Sequence, residues 1–316
     1  MSTDFETRIS NFKDAAVGTQ IVFTALVKDY TSATTTTGKP YISGTLADTN
    51  LTIPFKVWDG PVVTDFMSAD MRKQICLFTG TVKEYKGVRE VHVNTCVLAD
   101  GADAAAYIRT CDVNALCTEF GERLRKLPVE WQQAWQTVFA VVPDAWNKFV
   151  FGYAAKGYHD AQRGGLINHT VKMLRLLDTV LANEPRLEVY RNILTLGVML
   201  HDMGKIEEIV EGVYQPDSYI NHRMKAYGYL MQCKDAVIAQ IGVDNFNHLL
   251  SIVLEHHGGI EAEPMHTVYA LIVYVIDNCD AQCTFVADGI DDVNGNVITT
   301  SAGNKAIKYD GRPLVY

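Results

Sequence analysis

No apolar run in this chain approaches the roughly 20 residues that a bilayer-spanning helix needs, so no membrane partner is expected. The opening residues, MSTDFETRIS, lack a basic region followed by an apolar stretch, and no signal peptide is read there. Seven cysteines are scattered without any CxxC pair. An odd count without a framework points to a reducing, cytoplasmic setting rather than a disulfide scaffold. Cys279 and Cys283, one helical turn apart, read as packing positions on a helix. Positive charge is also short: 28 Lys and Arg stand against 37 Asp and Glu, for a net charge of −9. That balance argues against a protein that coats nucleic acid by charge alone. Internal repeats are missing, and the one low-complexity block is the short TSATTTTG at 31–38.

What is present is ordinary globular composition, 48 % hydrophobic and 21 % charged, over 316 residues, long enough for two domains. Residues 19–98 read as strands. TQIVFTALVKDY is β-branched and aromatic, and the Thr-rich, Gly-ended stretch after it reads as a loop. KPYISGTLADT and LTIPFKVWD follow, separated by a short turn at Asn50. MRKQICLFTGTVKEY and VREVHVNTCVLAD are joined by Lys86-Gly87, a hairpin signal. Five strands with a non-strand insert at about 60–72 after the third suit a small barrel of the OB type. GADAAAYIRT then shifts to helix formers and opens a helical linker region over 101–150.

From about 110 to about 287 the pattern is helical. LINHTVKMLRLLDTVLA places Leu166, Ile167, Met173, Leu174, Leu177 and Leu181 at helical spacing. VYRNILTLGVMLHDM, HRMKAYGYLMQCKDAVIAQI, NFNHLLSIVLEHH and TVYALIVYVIDNCDAQCTFV read as four further helices, with QRGG and HHGG as loop signals between segments. VNGNVI near the end reads as a small hairpin. The fold class that follows is multidomain: an all-β OB barrel over 1–100, the helical linker, and an all-α bundle over 151–316.

Each of the five main helices carries a potential metal ligand. The first holds His169, the second ends in His201-Asp202, the third opens with His222, the fourth ends in His256-His257, and the fifth holds Asp277 with Asp280 one turn on. Such groups, spread over five helices, can converge in the core of a bundle. Taken singly, each histidine is as readily a surface or satisfied core residue, and His92 and His248 are left as such. Asp277 is different, because an uncompensated carboxylate within ALIVYVIDNCDA is costly to bury. Imidazoles and carboxylates together suit Mn, Fe, Zn or Mg. An adjacent His-Asp pair can face two ions at once, the carboxylate bridging them.

The order H…HD…H…HH…D resembles the HD superfamily of metal-dependent phosphohydrolases. The segments AAKGYHDAQRGGLINHTVKMLRL, LGVMLHDMGKIEEI, LEHHGG and YVIDNCDAQ are similar to those of the YhaM-type 3′–5′ exoribonucleases, which set an OB domain ahead of an HD domain. The strand stretch GKPYISGTLAD…IPFKVWD…GTVKEYKGVREV is similar to their OB domain. The resemblance implies His169, His201, Asp202 and Asp277 as core metal ligands, with His222 and one or both of His256 and His257 holding a second ion. It implies two divalent ions, Mn foremost, with Mg, Fe, Co and Ni as alternatives. Asp202 and Lys205 are the catalytic candidates, the lysine through a phosphate oxygen. The chain departs from the family pattern at His159-Asp160, where two histidines are common, and at Tyr274, where a histidine is common.

OB barrels hold single strands through aromatic platforms flanked by basic residues. Tyr41, Trp58 and Tyr85 are the stacking candidates. Lys39, Lys56, Lys83, Lys86 and Arg89 are the candidates to follow phosphates. Residues 1–100 hold ten Lys and Arg against eleven Asp and Glu, so any basic groove must be local. The reading is a metal-dependent 3′–5′ exonuclease on single-stranded RNA, with DNA a second substrate class; the polarity comes from the resemblance alone. Two alternatives stand beside it: a phosphohydrolase of mononucleotides or cyclic nucleotides, and a nucleic-acid-binding protein with an inactive HD site. Homo-oligomeric assembly is left open.

Overall fold

The computed structural model describes residues 9, 12, 15–49, 51–58, 60–85, 87–99, 101–102, 104–155, 160–258, 265–291, 297–299 and 306–308. Asn50, Lys86, His159 and the Asn-Gly turn at 294–295 therefore lie outside the described residues. The chain divides into two compact units, Met1–Arg109 with Asp288–Tyr316, and Thr110–Ala287.

The first unit is built on β1 (Gln20–Thr34), β2 (Pro40–Ala47), β3 (Thr52–Val57), β4 (Ile75–Tyr85) and β5 (Val88–Leu98). They close into a barrel in the order β1-β2-β3-β5-β4, antiparallel except for the β3–β5 pair. Closure leaves no free sheet edge, which a sheet of this size otherwise has to protect. Alternating side chains fill the interior with Phe23, Ile42, Leu46, Ile53, Phe55, Phe78 and Val91, all buried. The sequence read Thr31–Thr34 as loop. These residues extend β1 instead, pairing with Pro40–Ser43, because β-branched threonines suit a pleated edge and only 35–39 is needed to turn. The insert after β3 is a helix, α1 (Pro61–Ser68), which buries Val62, Val63 and Phe66. Gly87, at φ +80°, closes the β4–β5 hairpin where Tyr85 pairs with Val88. The helix-forming stretch past 101 gives a 3-10 turn at Ala104–Tyr107. Its Tyr107 is buried and donates to Thr24 Oγ1 at 2.9 Å.

The second unit is helical. Helices α2 (Val113–Arg125), α3 (Val129–Phe139) and α4 (Ala145–Val150) share one hydrophobic core with α5 (Gly165–Asn183), α6 (Arg191–Leu200), α8 (His222–Gln232), α9 (Lys234–Ile241), α10 (Val243–Glu255) and α11 (Val268–Asp291). A four-residue α7 (Lys205–Glu208) leads into a short hairpin, β6 (Ile209–Val210) and β7 (Val213–Tyr214), that the sequence reading missed. The stretch read as one helix over 222–241 breaks at Cys233, whose φ of −112° and ψ of 16° depart from helix. Cys279 and Cys283 lie on α11 as read, but both are exposed rather than packed. Near the C-terminus β8 (Val297–Thr299) pairs with β9 (Ala306–Lys308); of the VNGNVI stretch read as a small hairpin only Val297 and Ile298 are described, and they belong to β8. Among the described residues no single helix is long and apolar enough to cross a membrane.

Candidate metal centre

The His-Asp doublet stands where α6 ends. Every residue from Ile193 to Leu200 is buried, so the helix delivers His201 and Asp202 into the interior of the unit. The chain then turns through 201–204. A Cβ at Gly204 would lie 1.9 Å from the carbonyl oxygen of His222. Only glycine lets this turn press against the first residue of α8, and that contact brings the doublet and His222 together.

Asp202 is the hub. Its Oδ2 lies 3.4 Å from His201 Nε2 and 3.6 Å from His169 Nε2, and its Oδ1 lies 3.5 Å from His222 Nε2 and 3.6 Å from His256 Nε2. Asp277 Oδ1 is 3.2 Å from His169 Nε2, and His257 Nε2 is 3.2 Å from His222 Nε2. Two groups result, one of His169, His201 and Asp277, the other of Asp202, His222, His256 and His257, each with donor atoms within 4.8 Å of one another. All seven ligand candidates read from the sequence are brought to this place.

The histidines are oriented alike. Nδ1 of His201 faces the Val198 carbonyl at 2.8 Å, and Nδ1 of His256 faces the Val253 carbonyl at 3.0 Å. Nδ1 of His169 faces Asp280 Oδ2 at 2.7 Å, and Nδ1 of His222 faces Glu208 Oε2 at 2.8 Å. With Nδ1 donating outward, each Nε2 lone pair points inward, the arrangement that metal-bound histidines use.

A divalent ion fits this donor set. Two ligand atoms at about 2.1 Å from one ion sit about 3.0–3.4 Å apart, depending on coordination geometry, close to the spacings seen here. His201 Nε2, His256 Nε2 and Asp202 Oδ1 are buried with no hydrogen-bond partner among the described residues, a costly state for groups that only face one another. Charge tells the same story. Burial drives the His222 imidazole well below its usual range and pushes His256 down to about 3, so both favour the neutral, ligating form. Burial also opposes a charge on His169, but hydrogen bonds with Asp277 and Asp280 outweigh it and push this imidazole up to about 10.

Lys205, the first residue of α7, is buried, with Nζ 2.6 Å from Asp202 Oδ2. Burial opposes its charge, but Asp202 and Asp277 hold its pKa above the ordinary lysine value. Asp202 is correspondingly held well below the carboxylate range; burial works against this, and the Lys205 and His201 charges prevail.

The barrel residues fall into two groups. Tyr41 and Trp58 stack with ring centroids 5.0 Å apart, and Trp58 is 41 % exposed, so it belongs to the surface and not the core. Tyr85 is 59 % exposed, and the Lys56 ammonium sits 5.4 Å from both the Trp58 and Tyr85 rings. Lys39 and Lys83 are exposed. Lys56 is ion-paired with Glu90 at 2.9 Å, and Arg89 donates to the Ala15 carbonyl while its guanidinium covers Phe12. His92, set aside in the sequence reading, stands edge-on to Trp58 at 5.7 Å. Its Nε2 lies 2.8 Å from Glu90 Oε1 and 3.3 Å from Trp58 Nε1. One nitrogen cannot serve both as donor and acceptor, and the shorter contact with a carboxylate takes its proton. Nothing in the sequence singled out His92; its place opposite Lys56 comes from the β3–β5 register.

Residues 166–282 match the HD domain family. A protein from Geobacillus sp. named 3′–5′ exoribonuclease YhaM is 26 % identical over 296 residues, covering 90 % of this chain and 89 % of its own. One of the same name from Listeria monocytogenes is 25 % identical over 279 residues, covering 85 % and 87 %. Among solved structures, the second OB-fold domain of replication protein A from Methanococcus maripaludis covers 29 % of this chain and 94 % of its own at 17 % identity, with a TM-score of 0.23. The chain thus carries an HD domain behind a closed five-stranded barrel and is similar to the YhaM exoribonucleases along most of its length.

Proposed function

We propose that this protein is a metal-dependent 3′–5′ exonuclease that hydrolyses phosphodiester bonds of single-stranded RNA, with single-stranded DNA as a second substrate. The observation that carries the reading is the position of Asp202, whose two oxygens face two separate buried groups of imidazole and carboxylate donors. The name shared by the similar proteins supports the choice of substrate and direction.

In this reading His169, His201, Asp277 and Asp202 Oδ2 hold one divalent ion, and Asp202 Oδ1, His222, His256 and His257 hold a second. Manganese suits such a mixed nitrogen and oxygen set, and Mg, Fe, Co and Ni are the alternatives. Divalent ions at such a site make water a nucleophile near neutral pH and stabilise charge on the attacking and leaving oxygens. The protein's own part is to exclude bulk water, to keep the four Nε2 atoms convergent through their Nδ1 partners, and to place the Lys205 ammonium beside the scissile phosphate. There the ammonium turns from Asp202 toward a phosphate oxygen as negative charge builds on it. Within residues 1–100, Tyr41, Trp58, Tyr85 and His92 offer π-faces for successive bases, a sequence-tolerant mode of capture. Lys39, Lys83 and Lys86 are candidates to meet phosphates. The catalytic part lies within Thr110–Ala287, the helical unit whose core α2, α3 and α4 share. Seven free thiols fit a cytoplasmic setting.

The test is incubation of the purified chain with single-stranded RNA and DNA labelled at one end, with Mn²⁺, Mg²⁺ or chelator. A 5′ label should give a descending ladder, a 3′ label should appear at once in a mononucleotide, and chelator should stop both. Hydrolysis confined to mononucleotides or cyclic nucleotides, or capture without any cleavage, overturns the reading.

A further inference from the structure

A third group of potential ligands, Asp160, His169 and Asp280, adjoins the metal centre. It already contains a cation. The Lys172 ammonium lies 2.7 Å from Asp160 Oδ2 and 3.2 Å from Asp280 Oδ1, and it also donates to Thr284 Oγ1. Asp160 is buried, receives Asn168 Nδ2 on its other oxygen at 2.7 Å, and sits at φ +46°, a region that L-residues other than glycine rarely adopt. The next turn of chain fits closely against it: a Cβ at Gly165 would lie 1.9 Å from the Asp160 carbonyl oxygen. The backbone is thus held in an unfavourable conformation that presents this carboxylate to Lys172.

Two helix faces explain the placement. On α5, Asn168, His169 and Lys172 fall within one turn. On α11, Asp277, Asp280 and Thr284 follow one another at spacings of three and four, so they share a face. His169 is therefore clamped between two carboxylates of a single helix. Asp277 meets its Nε2 at 3.2 Å and Asp280 its Nδ1 at 2.7 Å. The two nitrogens are held by carboxylates with different second partners. Asp280 has its second oxygen on Lys172, while Asp277 faces the Asp202 cluster.

We propose that Lys172, by bridging Asp160 and Asp280, is a positioning residue that keeps Asp280 on Nδ1 of His169 and so commits the Nε2 lone pair of that histidine to the metal centre. The contacts of the Lys172 ammonium are with Asp160, Asp280 and Thr284, none of them a ligand candidate of the two groups above. It acts through Asp280. Without its charge, two buried carboxylates face each other uncompensated, and Asp280 loses the partner that fixes it. The proposal rests on the metal-centre reading above.

The test uses the full chain and reads ion binding rather than turnover. Apparent affinity for Mn²⁺, and separately for Co²⁺, is measured by competition with a chromogenic chelator, together with the melting temperature of the chelator-treated protein. Lys172→Met should weaken Mn²⁺ binding by about ten- to a hundred-fold, the usual cost of losing an outer-shell partner. Asp280→Asn should weaken it at least as much, and its Co²⁺ absorption band should shift because the His169 ring is no longer fixed. Lys172→Arg should recover most of the affinity. A change in stability alone would leave affinity and band position at wild-type values in folded protein. Should Lys172→Met fail to fold, Asp280→Asn carries the same expectation. Wild-type affinity in folded Asp280→Asn or Lys172→Met overturns the proposal while leaving the metal centre standing. A wild-type chain that takes up neither ion overturns both.

Discussion

The aromatic face of the barrel and the histidine cluster of the helical unit both gather polar side chains, but they satisfy them in different ways. On the barrel, Lys56, Glu90 and His92 partner one another under rings that remain open to water. In the helical unit, His169, His201, Asp202, His222 and His256 are buried, the imidazole Nε2 atoms face carboxylate oxygens, and the outward Nδ1 atoms of the histidines are fixed by carbonyls or carboxylates. The first arrangement is complete without a ligand and tolerates the loss of a member. The second is complete only with a cation, and every member depends on the rest. Graded effects are expected from the barrel and near all-or-none effects from the cluster.

The sharpest way to break the comparison is Asp202→Ala. This change removes the carboxylate whose two oxygens face imidazoles of both groups, and those buried imidazoles are left without it. Hydrolysis should fall below detection and bound metal should drop, while the far-ultraviolet circular dichroism stays helical and capture of a single strand by the barrel stays within about twofold. Metal analysis showing full occupancy, or activity near wild type, would remove Asp202 from the centre.

Lys205→Ala comes next. Loss of one donor to a transition-state oxygen costs up to about a thousand-fold in turnover, and we expect a fall of roughly ten- to a thousand-fold with metal content unchanged. Lys205→Arg should restore part of it, since a planar guanidinium cannot place its charge as a compact ammonium does. If Lys205 serves only to neutralise Asp202, both variants should lower the melting temperature and leave turnover per folded molecule as it was.

The contrast between the two regions also governs what could be read in advance. The barrel was legible because five strands alternate, turn residues punctuate them and Lys86-Gly87 marks a hairpin. Its first strand was read too short, since threonines serve a strand edge and a loop equally. The cluster's members were legible from chemistry, as Asp277 in an apolar helix needs a reason to be there. Their partners were not. Glu208 looks like any acid near a helix end and Asp280 like a second acid one turn past Asp277, and only the packing of α11 on α5, and of α7 on α8, decides which nitrogen each one holds. The break at Cys233 was hidden because no Gly or Pro stands at the junction MQCKDA, and KDAVIAQI goes on as a helix-forming sequence. The β6–β7 hairpin was hidden because a two-residue strand is too short to show a period.

A smaller effect is expected from the platform. Trp58→Ala removes the ring that stacks on Tyr41 and approaches His92 and Lys56. Stacking of one base is worth about 1–3 kcal/mol, so affinity for a single-stranded oligomer should fall by roughly five- to a hundred-fold. Hydrolysis of a small phosphodiester such as bis-p-nitrophenyl phosphate should be unchanged, and Trp58→Phe should keep most of the binding. Equal losses on both substrates would mean that the tryptophan supports the fold rather than the strand.

The smallest effect concerns salt, and it asks whether the barrel holds its strand by faces or by charges. Five cations were candidates to follow phosphates. Lys56 is already paired with Glu90, and Arg89 is engaged with Ala15 and Phe12, so neither meets a phosphate without giving up that partner. For single strands, log affinity falls with log salt at a slope of about 0.7 per phosphate neutralised, so two or three contacts predict a loss of roughly seven- to twenty-fold between 50 and 200 mM. Five contacts would give a loss of more than about a hundred-fold over the same range. The measurement is best made on Asp202→Ala in chelator, so that neither cleavage nor ion binding at the helical unit contributes. A shallow slope, together with a large effect of Trp58→Ala, assigns capture to stacking. A steep slope would mean that Lys56 leaves Glu90 and Arg89 leaves Ala15 when a strand arrives, and that the self-satisfied face of the barrel is rearranged by its ligand after all.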